Sequence, residues 1–170
     1  MVISEPDYNE DLANLRKVYV EGTPRKRYEI AVRCIANPEQ ARNLLVVCVS
    51  AVEGLARSLI MRRYAKKKDD LWLLYLDHQW KGPEELIEEY LVTRALRPAP
   101  ETFGADTWEH FRCAVEYRHL LTHECIYLVN NRPQVLIEAC KSVLHKLARI
   151  AGLKIRRHLA PARQHVRFLR

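Results

Sequence analysis

Apolar residues are concentrated in one long stretch in the first half of the chain, from residue 38 to about residue 66. Leu44 to Val49 is an unbroken apolar run, and further apolar residues recur as far as Ile60, so a helix here would be apolar on almost every side. Asn37, Pro38 and Glu39 precede it as cap, first helical residue and first-turn acid. Because a helix that is apolar all round belongs inside a bundle, the pattern predicts a long core helix over residues 38–66.

A second long stretch, from Trp108 to Leu128, has helical spacing and contains neither glycine nor proline. Asp106 or Thr107 can cap its start. With about 100° of rotation per residue, its apolar side chains fall into two groups on opposite sides of the helix. One group is Trp108, Phe111, Val115 and Ile126, and the other is Ala114, Tyr117, Leu121 and Leu128. We therefore expect the helix to lie between two apolar surfaces.

The rest of the chain reads as shorter helices and turns, with no convincing strand. Asp70 is expected to cap one of the short helices, residues 97–100 to form a loop, and Gly152 to close the last helix. The predicted short helices are residues 10–20, 25–36, 71–80, 83–96 and 133–151. These elements predict an all-α bundle with two long core helices and flanking short helices, as a single domain over residues 1–152.

Charge separates the last residues from this domain. The net charge is +7, and the segment from residue 153 to residue 170 contains six basic residues and no acidic one. The remainder is therefore nearly neutral, and the excess charge belongs to a basic C-terminal tail. Such a tail suggests a polyanionic partner, most simply RNA, although a solvated extension has the same composition. The candidate RNA-binding residues are Lys154, Arg156, Arg157 and Arg163.

Cysteine usage and the absence of targeting features predict a cytoplasmic protein without a membrane span. The five cysteines include no C-x-x-C pair and mostly occupy apolar helical positions, which favours buried thiols over disulfides or a cysteine zinc site. The longest apolar run, Leu44 to Val49, is far too short to span a bilayer. The first residues have neither a basic nor an apolar region of the kind found in secretory signals.

Polar residues interrupt the second long helix where packing would favour leucine. They are Arg118, His119, Thr122 and His123. Ionisable groups at such positions are costly unless they are paired or used. Histidine titrates in the range needed for proton transfer, and the guanidinium fork of arginine matches phosphate oxygens. The residue types therefore suit metal-independent cleavage of RNA, with no cofactor.

The run Arg118-His119-Leu120-Leu121-Thr122-His123 resembles the R-x4-H motif of the HEPN superfamily, many of whose members are metal-independent ribonucleases. The family prefers a polar residue after the arginine, and His119 meets that preference. The resemblance covers roughly residues 38–151 and implies an all-α bundle with the motif on a late long helix. It also implies a toxin or defence nuclease, with an antitoxin as a possible partner. In antitoxin-controlled members a tyrosine often follows two residues after the histidine, whereas Cys125 stands there in this chain.

On this interpretation His123 is the general acid or base, and Arg118 stabilises the phosphate in the transition state. His119 positions the phosphate or makes a second proton transfer. Glu53, the single acid within the apolar stretch around it, is a supporting residue that could orient Arg118 or a histidine. Thr122 is a second supporting candidate, although bonding back to the helix backbone is its simpler role.

One copy of the motif does not focus its residues on a point, since Arg118 and His123 lie about 140° apart around the helix axis. HEPN nucleases solve this by dimerising, so the resemblance implies a homodimer with a composite site. We expect its interface to include the arc of Trp108, Phe111, Val115 and Ile126.

Two other functions fit the same residues. His119 and His123 have the i, i+4 spacing of a helical zinc pair, with Glu116 as a third ligand, although the H-E-x-x-H order is missing. The second alternative is a non-catalytic HEPN module that binds RNA or nucleotide. We favour the ribonuclease and assign no metal ligands.

Overall fold

The computed structural model describes residues 8–124 and 133–153, which form helices joined by short turns. The helices are α1 (Tyr8–Glu21), α2 (Pro24–Ala36), α3 (Leu44–Tyr64), α4 (Asp70–His78), α5 (Pro83–Thr93), α6 (Ala99–Phe103), α7 (Ala105–His123) and α8 (Pro133–Ile150), with a 3-10 helix at Pro38–Asn43. The described part of the chain contains no strand. The predicted all-α class is therefore confirmed.

α3 is the centre of the fold, and α2, α5, α7 and α8 pack around it. Its apolar side chains cover nearly every side, so Cys48, Val52 and Leu55 are completely buried. By length and composition α3 could cross a membrane, but most of it is buried inside the fold. α3 is therefore placed as the core helix of the bundle.

The long helix predicted from residue 38 begins instead as a 3-10 helix, and its α-helical part starts at Leu44. Asn37 caps the 3-10 helix as expected, because its side-chain oxygen accepts a hydrogen bond from the Glu39 backbone N–H at 3.1 Å. The break lies at Asn43, whose φ of −112° and ψ of 17° depart from helical values. Asparagine has a lower helix propensity than Leu44 and Leu45, which follow it, and this favours a helix boundary here.

The segment predicted as a loop at residues 97–100 is partly helical. α6 follows Pro98, and Pro100 sits in its first turn, where the missing N–H would have no helical partner. Ala99 and Phe103 are buried, so the short helix is held by core packing. Gly104, with φ of +99°, then turns the chain directly into α7.

Two predicted caps were wrong. Asp70 lies within α4, and its carboxylate accepts the backbone N–H groups of Lys66 at 2.9 Å and Lys67 at 3.0 Å, which closes the preceding turn. α7 begins at Ala105 directly after Gly104, with no side-chain cap from Asp106 or Thr107.

The end of α8 agrees with the prediction. Gly152 has φ of +71°, and its N–H donates to the Arg149 carbonyl at 3.0 Å. The Leu153 N–H donates to the Ala148 carbonyl at 2.9 Å, so glycine allows the last carbonyls to be satisfied. The basic tail lies outside the described residues, and the domain boundary at residue 152 stays a prediction.

Candidate functional site

α7 presents one broad apolar stripe to the core rather than two separate apolar sides. Trp108, Phe111 and Ala114 are buried, and Val115 and Leu121 pack against the same cluster. The described members of the two groups belong to this one stripe except Tyr117, which is 38% exposed, because a core-facing helix buries an arc of 100° or more.

Two of the four residues in the predicted dimer interface, Trp108 and Phe111, therefore cannot form it. Trp108 and Phe111 are 6% and 0% exposed within a single chain, and Val115 packs against the same core. These side chains contact their own α-helical bundle and are not open to a second copy. Ile126, the fourth residue of that arc, lies outside the described residues.

Arg118 lies on the core side of α7 and reaches across to α3. Its guanidinium donates a short hydrogen bond to the Glu53 carboxylate, and its side chain is 23% exposed. Glu53 therefore contacts Arg118, and its role in orienting that arginine for catalysis stays a prediction. The contact directs the guanidinium toward the interior rather than toward His119 or His123.

Glu53 binds a second guanidinium that the sequence analysis missed. Arg57 Nη2 donates to Glu53 at 2.6 Å, and Arg57 also donates to the backbone carbonyls of His78 at 3.1 Å and Lys81 at 3.4 Å. The signal in the sequence was its i+4 spacing from Glu53 within an apolar helix. Three ionised groups thus carry one net positive charge in a largely enclosed position.

The pKa of Glu53 reflects these contacts. Burial by itself raises the pKa of the carboxyl, but the hydrogen bonds and charges of Arg118 and Arg57 outweigh burial and hold it below its ordinary value. Glu53 is therefore ionised at neutral pH.

His119 and His123 form a separate pair on the exposed side of α7. Their ring centroids are 4.7 Å apart with an angle of 43° between the ring planes. Both residues are exposed. Neither ring hydrogen-bonds Arg118, so the structure groups the four predicted residues into an arginine–glutamate pair and a histidine pair.

Thr122 has the structural role that the sequence suggested as the simpler one. Its hydroxyl donates to the Arg118 carbonyl at 2.8 Å and lies 3.4 Å from the His119 carbonyl. The hydroxyl is thus engaged by the backbone of its own helix.

The described residues contain no group of three or more His, Cys, Asp or Glu side chains arranged to hold a metal ion. Glu116, suggested as a third zinc ligand, is exposed on α7. The i, i+4 histidine pair is therefore not completed to a metal site within this part of the chain.

An acidic groove of about 510 Å³ lies beside the first half of α7, between α5 and α6. It is lined by Glu84, Glu85, Glu88, Pro100, Ala105, Asp106, Trp108, Glu109 and Arg112. Burial raises the pKa of Glu84, and this carboxyl also feels the charges of Arg112, Glu116 and Arg118. Five carboxylates around one arginine repel a phosphate backbone, so this groove is not a path for RNA.

The remaining predicted residues lie outside the described part of the chain. These are the RNA-binding candidates Lys154, Arg156, Arg157 and Arg163, and Cys125, which stands at the position where HEPN toxins often have tyrosine. Of the other cysteines, Cys48 and Cys140 are buried with free thiols, as predicted, whereas Cys34 is exposed. Burial raises the pKa of Cys48 to about 11 and that of Cys140 to about 12, which makes both thiols unreactive.

No protein-family model, curated protein or solved structure matches the chain. The resemblance to HEPN proteins therefore rests on the R-x4-H motif and its helical context.

Proposed function

We propose that the protein is a metal-independent endoribonuclease of the HEPN type that acts in the cytoplasm. The observation that supports this proposal best is the exposed pair of imidazoles, His119 and His123, with ring centroids 4.7 Å apart. Two imidazoles at this distance can serve one phosphodiester as base and acid.

The chemical step requires two proton transfers. One neutral imidazole accepts the proton of the 2′-OH while the 2′-oxygen attacks the adjacent phosphorus. A second, protonated imidazole donates a proton to the departing 5′-oxygen as the P–O bond breaks. The products are a 2′,3′-cyclic phosphate and a free 5′-hydroxyl. His123 is assigned to the acid–base role, and His119 to the second proton transfer or to phosphate positioning.

Arg118 is proposed to stabilise the phosphate during this step. Its bond to Glu53 does not remove all positive charge, because Arg57 shares the same carboxylate. The enclosed cluster keeps one net positive charge beneath the helix that carries both histidines. To contact the phosphate, the Arg118 guanidinium would turn from Glu53 toward the imidazoles when RNA binds, and there it would lower the energy of the negative charge that develops on the phosphate.

The distribution of charge suggests where RNA would approach. The acidic groove lies beside the N-terminal half of α7, whereas His119 and His123 occupy the last two turns. RNA would therefore approach the C-terminal end of α7, and the basic tail would add affinity. The HEPN resemblance further suggests a toxin or defence nuclease controlled by an antitoxin.

The test is to incubate purified protein with mixed RNA in EDTA and to analyse the product ends. We expect 2′,3′-cyclic phosphate or 3′-phosphate ends, and no cleavage when the 2′-OH at the cut site is replaced by hydrogen. His123→Ala should abolish most activity while leaving the helical circular dichroism unchanged. Arg118→Lys keeps the charge but loses the fork, and should raise the barrier by about 2–4 kcal/mol.

His110→Ala provides the matched control, because His110 is an exposed histidine on the same helix outside the pair. Its activity should equal that of the unaltered protein. Full activity of His123→Ala in nuclease-free preparations would refute the proposal, and loss of cleavage in EDTA would support the metal alternative.

The ion pair of Arg118 favours one competing function, a non-catalytic module that binds RNA or nucleotide. In that case Arg118 has a structural role, since Glu53 already engages its guanidinium. Salt-sensitive RNA binding without any cleavage, equal in His123→Ala and the unaltered protein, would identify this function.

A further inference from the structure

The outer side of α4 carries large apolar side chains that do not contact the core. Leu71 and His78 are buried on the inner side of the helix. Leu73 is 66% exposed, and Trp80, which follows the helix, is 88% exposed. Trp72 and Leu76 add to the same outer surface at 38% and 49%. α4 is therefore apolar on both sides, and the fold covers one of them.

α1 continues this apolar surface. All residues from 9 to 18 are exposed, although Leu12, Leu15 and Val18 lie among them. Leu12 and Leu15 share a side of the helix with Tyr19 because of their i, i+3, i+7 spacing. Tyr19 contacts Tyr75 of α4 with ring centroids 5.8 Å apart, and Tyr75 contacts Trp72 at 6.1 Å. This aromatic chain joins the apolar side of α1 to that of α4.

We propose that this combined surface is the two-fold interface between two copies of the chain. The surface, called the α1–α4 face below, consists of Leu12, Leu15, Val18, Trp72, Leu73, Leu76 and Trp80. It is proposed in place of the α7 arc, of which Trp108 and Phe111 are already covered by the core.

The size of the face fits a second copy. With roughly 150–250 Å² for a large aromatic side chain and somewhat less for leucine and valine, the exposed fractions of the seven residues amount to about 700 Å². The largest apolar patch on a typical monomer is about 300–600 Å². Each partner in a standard stable interface contributes about 800 Å². The α1–α4 face therefore exceeds what a monomer usually exposes and approaches one side of a stable dimer.

The charges around the face favour a protein surface over a lipid surface. Both signs of charge are exposed on these elements: Glu10, Asp11, Arg16 and Lys17 on α1, and Lys66, Lys67, Lys68, Asp69 and Asp77 around α4. An anionic membrane requires a uniformly basic rim, which the three aspartates interrupt. A rim with both signs can pair with a copy of itself across a two-fold axis.

The inference does not depend on the proposed ribonuclease function, because its test measures the molar mass of the protein in solution. Light scattering after gel filtration should give twice the 20.0 kDa of the chain at micromolar concentration, with dissociation on dilution. The double substitution Leu73→Glu and Leu76→Glu should give the monomer mass. Val92→Glu is the matched control, because Val92 is 76% exposed on α5 outside the face, and this variant should remain dimeric.

A second measurement uses the tryptophan fluorescence of the unaltered protein and needs no glutamate substitution in the face. Dilution should shift the tryptophan emission to the red as Trp72 and Trp80 become solvated, while Trp108 stays buried in either state. Replacing both outer tryptophans by phenylalanine should remove the shift.

Three results would overturn the proposal. These are a monomer at every concentration, a folded Leu73→Glu and Leu76→Glu variant that stays dimeric, or loss of dimer in Val92→Glu alone. A protein that is monomeric in solution but sediments with phosphatidylserine vesicles through Leu73 and Leu76 would show that the face binds lipid instead.

Discussion

Glu53 determines the electrostatic environment of Arg118 at the residue scale. Its two carboxylate oxygens bind the guanidiniums of Arg57 and Arg118, which come from two different helices. Removing a carboxylate from such a group leaves two enclosed cations without compensation. Glu53 therefore links the stability of the fold to the position of the proposed catalytic arginine.

We predict that Glu53→Gln lowers the free energy of unfolding by about 2–4 kcal/mol. Loss of one partner from a fully buried ion pair costs roughly 3–5 kcal/mol, and the cost is smaller here because the three side chains keep 11–23% exposure. Urea unfolding measures the change. Glu29→Gln is the control, since Glu29 pairs with Arg25 at the surface and its loss should cost at most about 1 kcal/mol. Equal effects of the two substitutions would contradict the prediction.

The same carboxyl gives the protein a pH dependence with a defined sign. The pKa of Glu53 is lower in the folded chain than in the unfolded chain, so its contribution is complete above the unfolded pKa. The contribution is lost as the pH falls through the lower, folded pKa. In Glu53→Gln the unfolding free energy should therefore fall less steeply on acidification than in the unaltered protein.

At the element scale, the junction between α6 and α7 depends on a single glycine. Only Gly104 separates the two helices, and its φ of +99° and ψ of 134° lie in a region that side chains avoid. This conformation sets the direction in which α7 starts, and thereby the sides on which Arg118 and the histidine pair lie.

We predict that Gly104→Ala destabilises the fold by about 1–3 kcal/mol through backbone strain. Steric clash is not the cause, because an added Cβ would lie 3.8 Å from its nearest neighbour, Thr107 Oγ1. Gly82→Ala is the matched control, since Gly82 precedes α5 with φ of −70°. That variant should change the free energy of unfolding by at most about 1 kcal/mol, because the lower chain entropy of alanine and its poorer fit at the N-cap of α5 oppose each other. Thermal and urea unfolding measure the stability of both variants. Unchanged stability of Gly104→Ala would contradict the prediction that alanine is strained at this position.

Charge is unevenly distributed over the whole molecule. Five carboxylates line the groove beside α7, while six basic residues and no acidic one follow Leu153. A polyanion would be repelled by the first region and attracted by the second. The basic tail is therefore the proposed source of RNA affinity, whereas cleavage is assigned to α7.

We predict that deleting residues 154–170 weakens RNA binding without changing the chemistry of cleavage. The logarithm of the binding constant should depend less steeply on the logarithm of salt concentration, by about 0.7 for each phosphate of single-stranded RNA that the tail neutralises. Binding titrations at several salt concentrations measure this slope. A full-length variant with glutamine at Lys154, Arg156, Arg157 and Arg163 should reproduce the effect, and an unchanged slope in both proteins would contradict it.

The sequence determined the helical elements because their signals are local. Apolar periodicity located the long helices, Asn37 marked a cap, and Gly152 marked the end of α8. Proline was an ambiguous signal, because it occurs both in loops and in the first turn of a helix. Two prolines near residue 99 suggested a loop, yet burial of Ala99 and Phe103 stabilises a short helix there.

The arrangement of the candidate site was decided only by tertiary structure. Spacing on α7 showed that Arg118 and His123 lie on different sides of the helix, but not which side the core covers. Packing against α3 and α8 buries the Arg118 side and leaves both histidines exposed. The pairing of Arg118 with Glu53 spans 65 positions, and the sequence could only offer it as one of several roles. Local sequence thus specified which helices form, whereas the burial of one face of each helix selected the partners of its charged residues.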